Sequence, residues 1–203
     1  MFRAFFVMIF VSSGLFSYSQ PKYGDSIFLF QANYKKELSS IIQEDTSYVR
    51  FFKTNLSYRI IAKVERLTGE KVFKMGTSSG ITKEAQKIAR IRFLLNGKSY
   101  VLYAYQLLSL RNDPKYQSYF FIPFTDRTSG EETYGGGRYL DFTLENISTE
   151  DKLELDFNKA YNPYCAFKTG YNCPIPPKDN DLPVSIKAGE KNFARSSEKN
   201  KKP

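Results

Sequence analysis

Ile91-Arg92-Phe93-Leu94-Leu95-Asn96-Gly97-Lys98-Ser99-Tyr100-Val101-Leu102-Tyr103-Ala104 is the stretch on which the fold turns. In an extended chain Ile91, Phe93 and Leu95 point to one face, and so do Tyr100, Leu102 and Ala104 on the far side of Asn96-Gly97. Asn-Gly accepts the positive φ values of a two-residue hairpin turn, and both arms are rich in strand-forming residues. A β-hairpin is expected here.

Working outward, the segment from Ser57 to Glu65 reads as another half-buried strand. Tyr58, Ile60, Ala62 and Val64 alternate with Arg59, Lys63 and Glu65. Thr68-Gly69-Glu70 turns the chain, Lys71 to Met75 returns as a strand, and Gly76 to Gly80 forms a loop of small polar residues. Downstream, Tyr116 to Phe124 is expected as a strand stopped by Pro123. Arg138 to Thr143 and Lys152 to Phe157 follow, joined by the polar loop Leu144 to Asp151, and Pro183 to Lys187 reads as a short edge strand. Before all of these, Ile27, Phe30, Tyr34, Leu38 and Ile41 recur at steps of three and four. That spacing predicts a helix from Ser26, its cap, to Ile42, packed on the sheet. Strands dominate, and the connections between them are too short for crossover helices. The expected fold class is mainly β: an antiparallel sandwich or small barrel with one N-terminal helix.

The two ends read differently from the middle. Met1-Phe2-Arg3 is a short positive start, Ala4 to Phe16 is mostly apolar, and Ser17-Tyr18-Ser19 supplies the small residues of a cleavage site before Gln20. The apolar run is shorter than the ~20 residues of a membrane-spanning helix. No cysteine at the cleavage region points to a lipid. Residues 1–19 are thus expected to be a cleavable signal peptide of a periplasmic or secreted protein with no stable membrane anchor. Residues 20–190 are expected to form a single β-rich domain, followed by a disordered basic tail over 191–203. Of the formal charge of +9, Arg3 leaves with the leader, and five cations of the tail face only Glu198. The remaining body is only mildly basic, which argues against a nucleic-acid partner.

The sequence contains no histidine. That excludes Ser-His-Asp and Cys-His nucleophile pairs and imidazole metal sites together. Chemistry, if any, falls to carboxylates, tyrosines, arginines, cysteines or backbone groups. Asp126 to Arg138 is a long link between strands, with Asp126, Glu131 and Glu132 followed by Tyr134 and the glycine run 135–137. A phosphate-binding loop needs Gly-Lys-Ser/Thr opening a helix, whereas these glycines lead into a strand. The link is either a tight connection or a polar pocket in which Arg138 holds an anion or pairs with a carboxylate. Asp126, Glu131, Glu132, Asp141 and Asp156 offer carboxylate pairs of the kind that hydrolyse glycosides. Asp179-Asn180-Asp181 lacks the spacing of a calcium loop. Asn158 and Asn162 suit local backbone hydrogen bonds, and Pro163 keeps Asn162 out of helical geometry. Cys165 and Cys173 bracket Ala166 to Asn172. In an exported protein a disulfide is the leading reading, over a redox pair, whose spacing would be Cys-x-x-Cys. Two cysteines without histidine do not complete a zinc tetrahedron, so no metal or cofactor is expected.

Three motifs together carry a resemblance. They are Phe124-Thr125-Asp126-Arg127-Thr128-Ser129-Gly130-Glu131-Glu132-Thr133-Tyr134-Gly135-Gly136-Gly137-Arg138-Tyr139-Leu140, Asp156-Phe157-Asn158-Lys159-Ala160-Tyr161-Asn162-Pro163-Tyr164-Cys165, and Cys173-Pro174-Ile175-Pro176-Pro177 with Asn180 and Ala188-Gly189-Glu190. With them the chain resembles the bacterial family catalogued as domain of unknown function 1684, strongly over Tyr116 to Glu190 and loosely over Ser57 to Gln106. The resemblance implies no reaction. It implies that the loops holding Asp126, Glu132, Tyr134, Arg138, Asn158, Tyr161 and Asn162 come together. The expected function is binding of a small polar or anionic ligand, or a glycan, between the 126–138 and 158–180 loops. Arg138 would face the anion and the tyrosines would form the walls. The alternatives are a carboxylate-based hydrolase acting on envelope or environmental polysaccharide, and a scaffold whose glycines and prolines only shape loops.

Overall fold

A computed structural model describes residues 22–42 and 46–193. The expected leader over 1–19 and the tail beyond 193 lie outside the described residues. Within them the chain forms α1 (Tyr23–Ile42), β1 (Arg59–Arg66), β2 (Phe73–Gly76), β3 (Thr82–Leu95), β4 (Lys98–Leu107), the single turn α2 (Leu108–Arg111), β5 (Tyr119–Phe124), β6 (Arg138–Thr143) and β7 (Lys152–Asp156). The strands make one curled antiparallel sheet in the order β6-β5-β4-β3-β1-β7, with β2 paired to β3.

The hairpin is as the sequence reads. Asn96 and Gly97 sit at φ 50° and 74°, and Leu95 faces Lys98 across the turn. Long β3 serves three neighbours, and its register with β4 shifts between Lys87 and Ala89. Such an irregularity bends the strand and steepens its twist, which helps the sheet to curl.

The inner face packs Val64, Ile91, Phe93, Leu102, Phe120, Ile122, Phe124, Leu140, Leu155 and Phe157 into the main core. On the opposite face Met75, Ala85, Tyr105, Phe121 and Tyr139 form a second cluster. Period two explains the division: Phe120, Ile122 and Phe124 point one way and Phe121 the other. β5 is apolar throughout because both of its faces are covered.

Pro123 does not stop β5, which continues to Phe124. It pairs with Tyr139 of β6, while on its other side the side chain of Asn180 stands in for a strand. Asn180 donates to the carbonyls of Pro123 (2.6 Å) and Tyr103 (2.9 Å) and accepts from the Tyr103 amide (2.7 Å). A proline lacking N–H is tolerated where side-chain bonds replace the ladder. Residues 183–187 are not a strand either. They form an irregular strap tied down by side chains: the Ile186 amide donates to Asp126 (3.1 Å) and the Ile186 carbonyl accepts from Arg138 (2.9 Å).

α1 begins at Tyr23, three residues before the expected cap, with Asp25 favourably placed in its first turn. Its Leu38 and Ile42 pack with Val49 and partly buried Phe51, Phe167 and Phe193, so the helix lies largely on loops. Cys165 and Cys173 form a disulfide with Cα atoms 6.3 Å apart. Among the described residues no helix is long and apolar enough to cross a membrane.

Candidate functional site

The strap joins the two loops named by the motifs, and it does so by burying their polar groups. Arg138 has none of its surface exposed. Its guanidinium donates to Asp126 (2.8 Å), to the Ile186 carbonyl (2.9 Å), to the Glu190 carbonyl (3.3 Å) and to the Ala188 carbonyl. It lies over the Phe124 ring, 5.3 Å from the centroid. Asp126 completes its shell with the amide (2.8 Å) and hydroxyl (2.7 Å) of Thr128. Gly189, at φ +76°, lets the strap pass so close that a Cβ there would stand 2.5 Å from the Ala160 carbonyl.

Asn162 and Glu190 meet behind the strap. The Asn162 amide donates to Glu190 (2.8 Å) and its side chain donates to the Lys191 carbonyl (2.8 Å). Tyr34 of α1 donates to the same Glu190 oxygen (2.8 Å). The other Glu190 oxygen has no partner. Burial pushes the Glu190 carboxyl up to about 8, against the pull of its donors. Asn158 is equally committed: its side chain donates to Tyr23 (2.8 Å), the Asn55 carbonyl (2.9 Å) and Asp156 (2.9 Å), and accepts from the Asn55 amide (2.9 Å). Glu132 pairs at the surface with Lys187 (2.8 Å), and half-buried Tyr134 accepts the Gly137 amide (3.0 Å). Asp126, Arg138 and Asn162 are therefore brought to one buried network through the strap. Asn158 belongs to a separate cluster with Tyr23 and Asp156.

Tyr161 is the exception. Its backbone exchanges two hydrogen bonds with Tyr139 of β6 (2.9 and 3.1 Å), which places its ring beside that strand. Tyr139 and Asp141, two residues apart, share the face that also carries Tyr119 and Phe121. Tyr161 and Tyr119 then donate to the two oxygens of Asp141, at 2.7 and 2.8 Å. The surrounding rings strip much of the hydration from Asp141 and raise its carboxyl above the ordinary range, against the pull of the two phenols. Part of the side chain still meets solvent. Burial first, and the Asp141 charge second, hold the Tyr119 and Tyr161 hydroxyls protonated.

Asp141 lies in a recess of about 570 Å³ between α1, β6, β7 and the segment after β7. Tyr34, Tyr161 and Tyr164 supply aromatic walls, Glu37, Glu154 and Asp156 supply further carboxylates, and Lys159 lies 4.0 Å from Asp156. Glu154 is paired with Arg59 (2.7 Å), and Asp156 is held by Tyr23 (3.0 Å). Asp141 appears among the candidate carboxylates of the sequence, yet its two tyrosine partners lie 22 and 20 positions away. The one sequence signal was the apolar strand pattern, which makes a charged residue within β6 conspicuous. Among the described residues no three histidine, cysteine or acidic side chains cluster as a metal site.

The solution NMR structure of an uncharacterized protein of Haloarcula marismortui is similar in fold, with a TM-score of 0.62 and 29% identity over 82% of this chain and 94% of that one. No curated protein matches the chain. Residues 45–191 match the family described as protein of unknown function (DUF1684), a span that holds the whole sheet, the strap and every residue of the buried network except Tyr34, and the chain belongs to that family.

Proposed function

We propose that the protein is an exported β-rich domain that binds a small polar ligand in the recess around Asp141. The observation that carries this reading is the Asp141 carboxylate, gripped by two phenols at 2.7 and 2.8 Å yet still open to solvent within a concave, tyrosine-walled space. A ring-lined carboxylate fixed in this way is pre-organised, because its rotamer is already chosen before a ligand arrives. The acid-rich lining disfavours an anion. This reading accordingly moves the ligand away from Arg138, which has no exposed surface, and keeps Tyr161 from the expected set. Export is supported by the leader-like run over 1–19 and by the disulfide, which suits an oxidising compartment.

A panel of neutral oligosaccharides, polyols and amines titrated by calorimetry tests this proposal. At least one class is expected to bind, and Asp141→Asn is expected to weaken it about tenfold or more, the scale of one charge-assisted hydrogen bond. Circular dichroism should be unchanged in that variant. Absence of binding across the panel, or equal binding by Asp141→Asn, overturns it.

A second reading, glycoside hydrolysis, is favoured by Asp141 and Asp156 lining one recess, with the Asp141 carboxyl raised as a general acid requires. Chromogenic aryl glycosides cleaved by the wild type and not by Asp141→Asn would support it. No cleavage of any of them removes it.

A further inference from the structure

Beside the recess against α1 lies a second, of about 510 Å³, which shares Asp141, Tyr161 and Tyr164 with the first. Its other walls include Tyr116, Tyr119, Tyr139 and Tyr171. The hydroxyl protons of this lining are largely spent inside the protein. Tyr119 and Tyr161 donate to Asp141 at 2.8 and 2.7 Å, and Tyr139 donates to the Pro174 carbonyl. What these rings still present to a visitor is π-electron faces, phenol lone pairs and one carboxylate. A sugar or an anion needs donors; Tyr119, Tyr139 and Tyr161 have none left, so such a guest would depend on Lys83, Asn172, Tyr116 and Tyr164 at the other walls. A hard metal ion needs several oxygen ligands, and Asp141 is the one carboxylate of this lining. A diffuse, weakly hydrated positive charge suits aromatic faces with an anion at their edge.

We propose that this tyrosine-lined recess seats a substituted ammonium group, its alkyl substituents against the rings and its charge facing Asp141. The inference rests on the reading of Asp141 as a ligand-binding group and names the class of that ligand. Lys83 also lines the recess, and its charge opposes such a guest. It therefore supplies a sign test that a purely hydrophobic or an anionic ligand would fail.

The experiment titrates the mature chain with choline, with its uncharged isostere 3,3-dimethylbutan-1-ol, and with acetate, following amide and tyrosine ring shifts by NMR. Choline is expected to perturb the Tyr119, Tyr161 and Tyr164 signals and to bind at least about fivefold more tightly than the isostere, as one cation–π and carboxylate contact implies. Tyr164→Ala, at a residue 38% exposed, should weaken choline about fivefold with the melting temperature kept, and Lys83→Ala should tighten it. Equal binding of the neutral isostere, preference for acetate, or weaker choline binding in Lys83→Ala overturns the proposal. If neutral sugars bind through Asp141 and choline does not, the ammonium inference falls and the polar-ligand reading stands. If no probe binds, both fall.

Discussion

Arg138 opens β6 after three glycines, where the sequence suggests a group facing an anion, and the fold closes over it completely. Its donors hold the carbonyls of Ile186, Ala188 and Glu190, and its charge neutralises buried Asp126. Burial lowers its pKa, with the Asp126 charge working against that fall. Removing one partner of such a pair leaves a buried charge uncompensated. Arg138→Ala should therefore lose about 3–5 kcal/mol in urea unfolding, or fail to fold. Glu190 predicts the opposite of ordinary acid sensitivity. Its folded pKa of about 8 lies above the usual 4.5, so between those values the native state holds a proton that the unfolded chain has released. This carboxyl accordingly contributes a stability that declines as pH rises from about 4.5 to about 8. Melting temperatures across that range should fall more steeply for the wild type than for Glu190→Gln, which cannot ionise. Equal slopes would show that this carboxyl is not the titrating group.

At the scale of elements, β4 and β5 pair through Tyr105 and Phe121 and then require a substitute at Pro123. Asn180 provides it with three hydrogen bonds, two of them to Tyr103. A single side chain thus extends the seam between β4 and β5 beyond the Tyr105–Phe121 pair. Asn180→Ala would leave the Tyr103 amide and two carbonyls without those partners. The expected cost is about 1–3 kcal/mol, with faster hydrogen exchange at the Tyr103 amide than at amides of the β3–β4 hairpin. A uniform rise in exchange over both hairpin arms would instead mean that Asn180 acts on global stability alone. The strap over 183–190 follows the same logic in part, since the Ile186 amide and the carbonyls of Ile186 and Ala188 are satisfied by Asp126 and Arg138 rather than by a neighbouring strand.

Across the whole molecule, the long-range sheet pairings and two cores carry the fold, and the Cys165–Cys173 bridge closes only a short loop beside the tyrosine recess. A loop of that size stabilises by roughly 2–3 kcal/mol through the unfolded chain. Replacing both cysteines by serine should lower the melting temperature while the far-ultraviolet spectrum stays that of the wild type. Because Cys173 and Pro174 line the recess at Asp141, the same variant should also loosen ligand binding there. Unfolding on reduction would instead give the bridge a role that the cores already fill.

Some of this protein is set by neighbours in sequence. Asn96-Gly97 dictates a turn because its backbone preferences are local, and period two in β1, β3 and β4 dictates which side chains meet the core. The mainly antiparallel class and the N-terminal helix follow from such patterns, and the motifs from Phe124 to Glu190 were enough to mark the family. Burial is not local. Arg138, Asn158 and Asn162 have the composition of a pocket, and only the arrival of the strap and of α1 turned their polar groups inward. Tyr119, Asp141 and Tyr161 belong to two strands and a loop, and no spacing rule joins them. The register of β5 on β6, and the bridge from Tyr139 to Tyr161, brought them together. Local rules could name the polar residues; which of them kept contact with water was decided by packing between segments far apart in the chain.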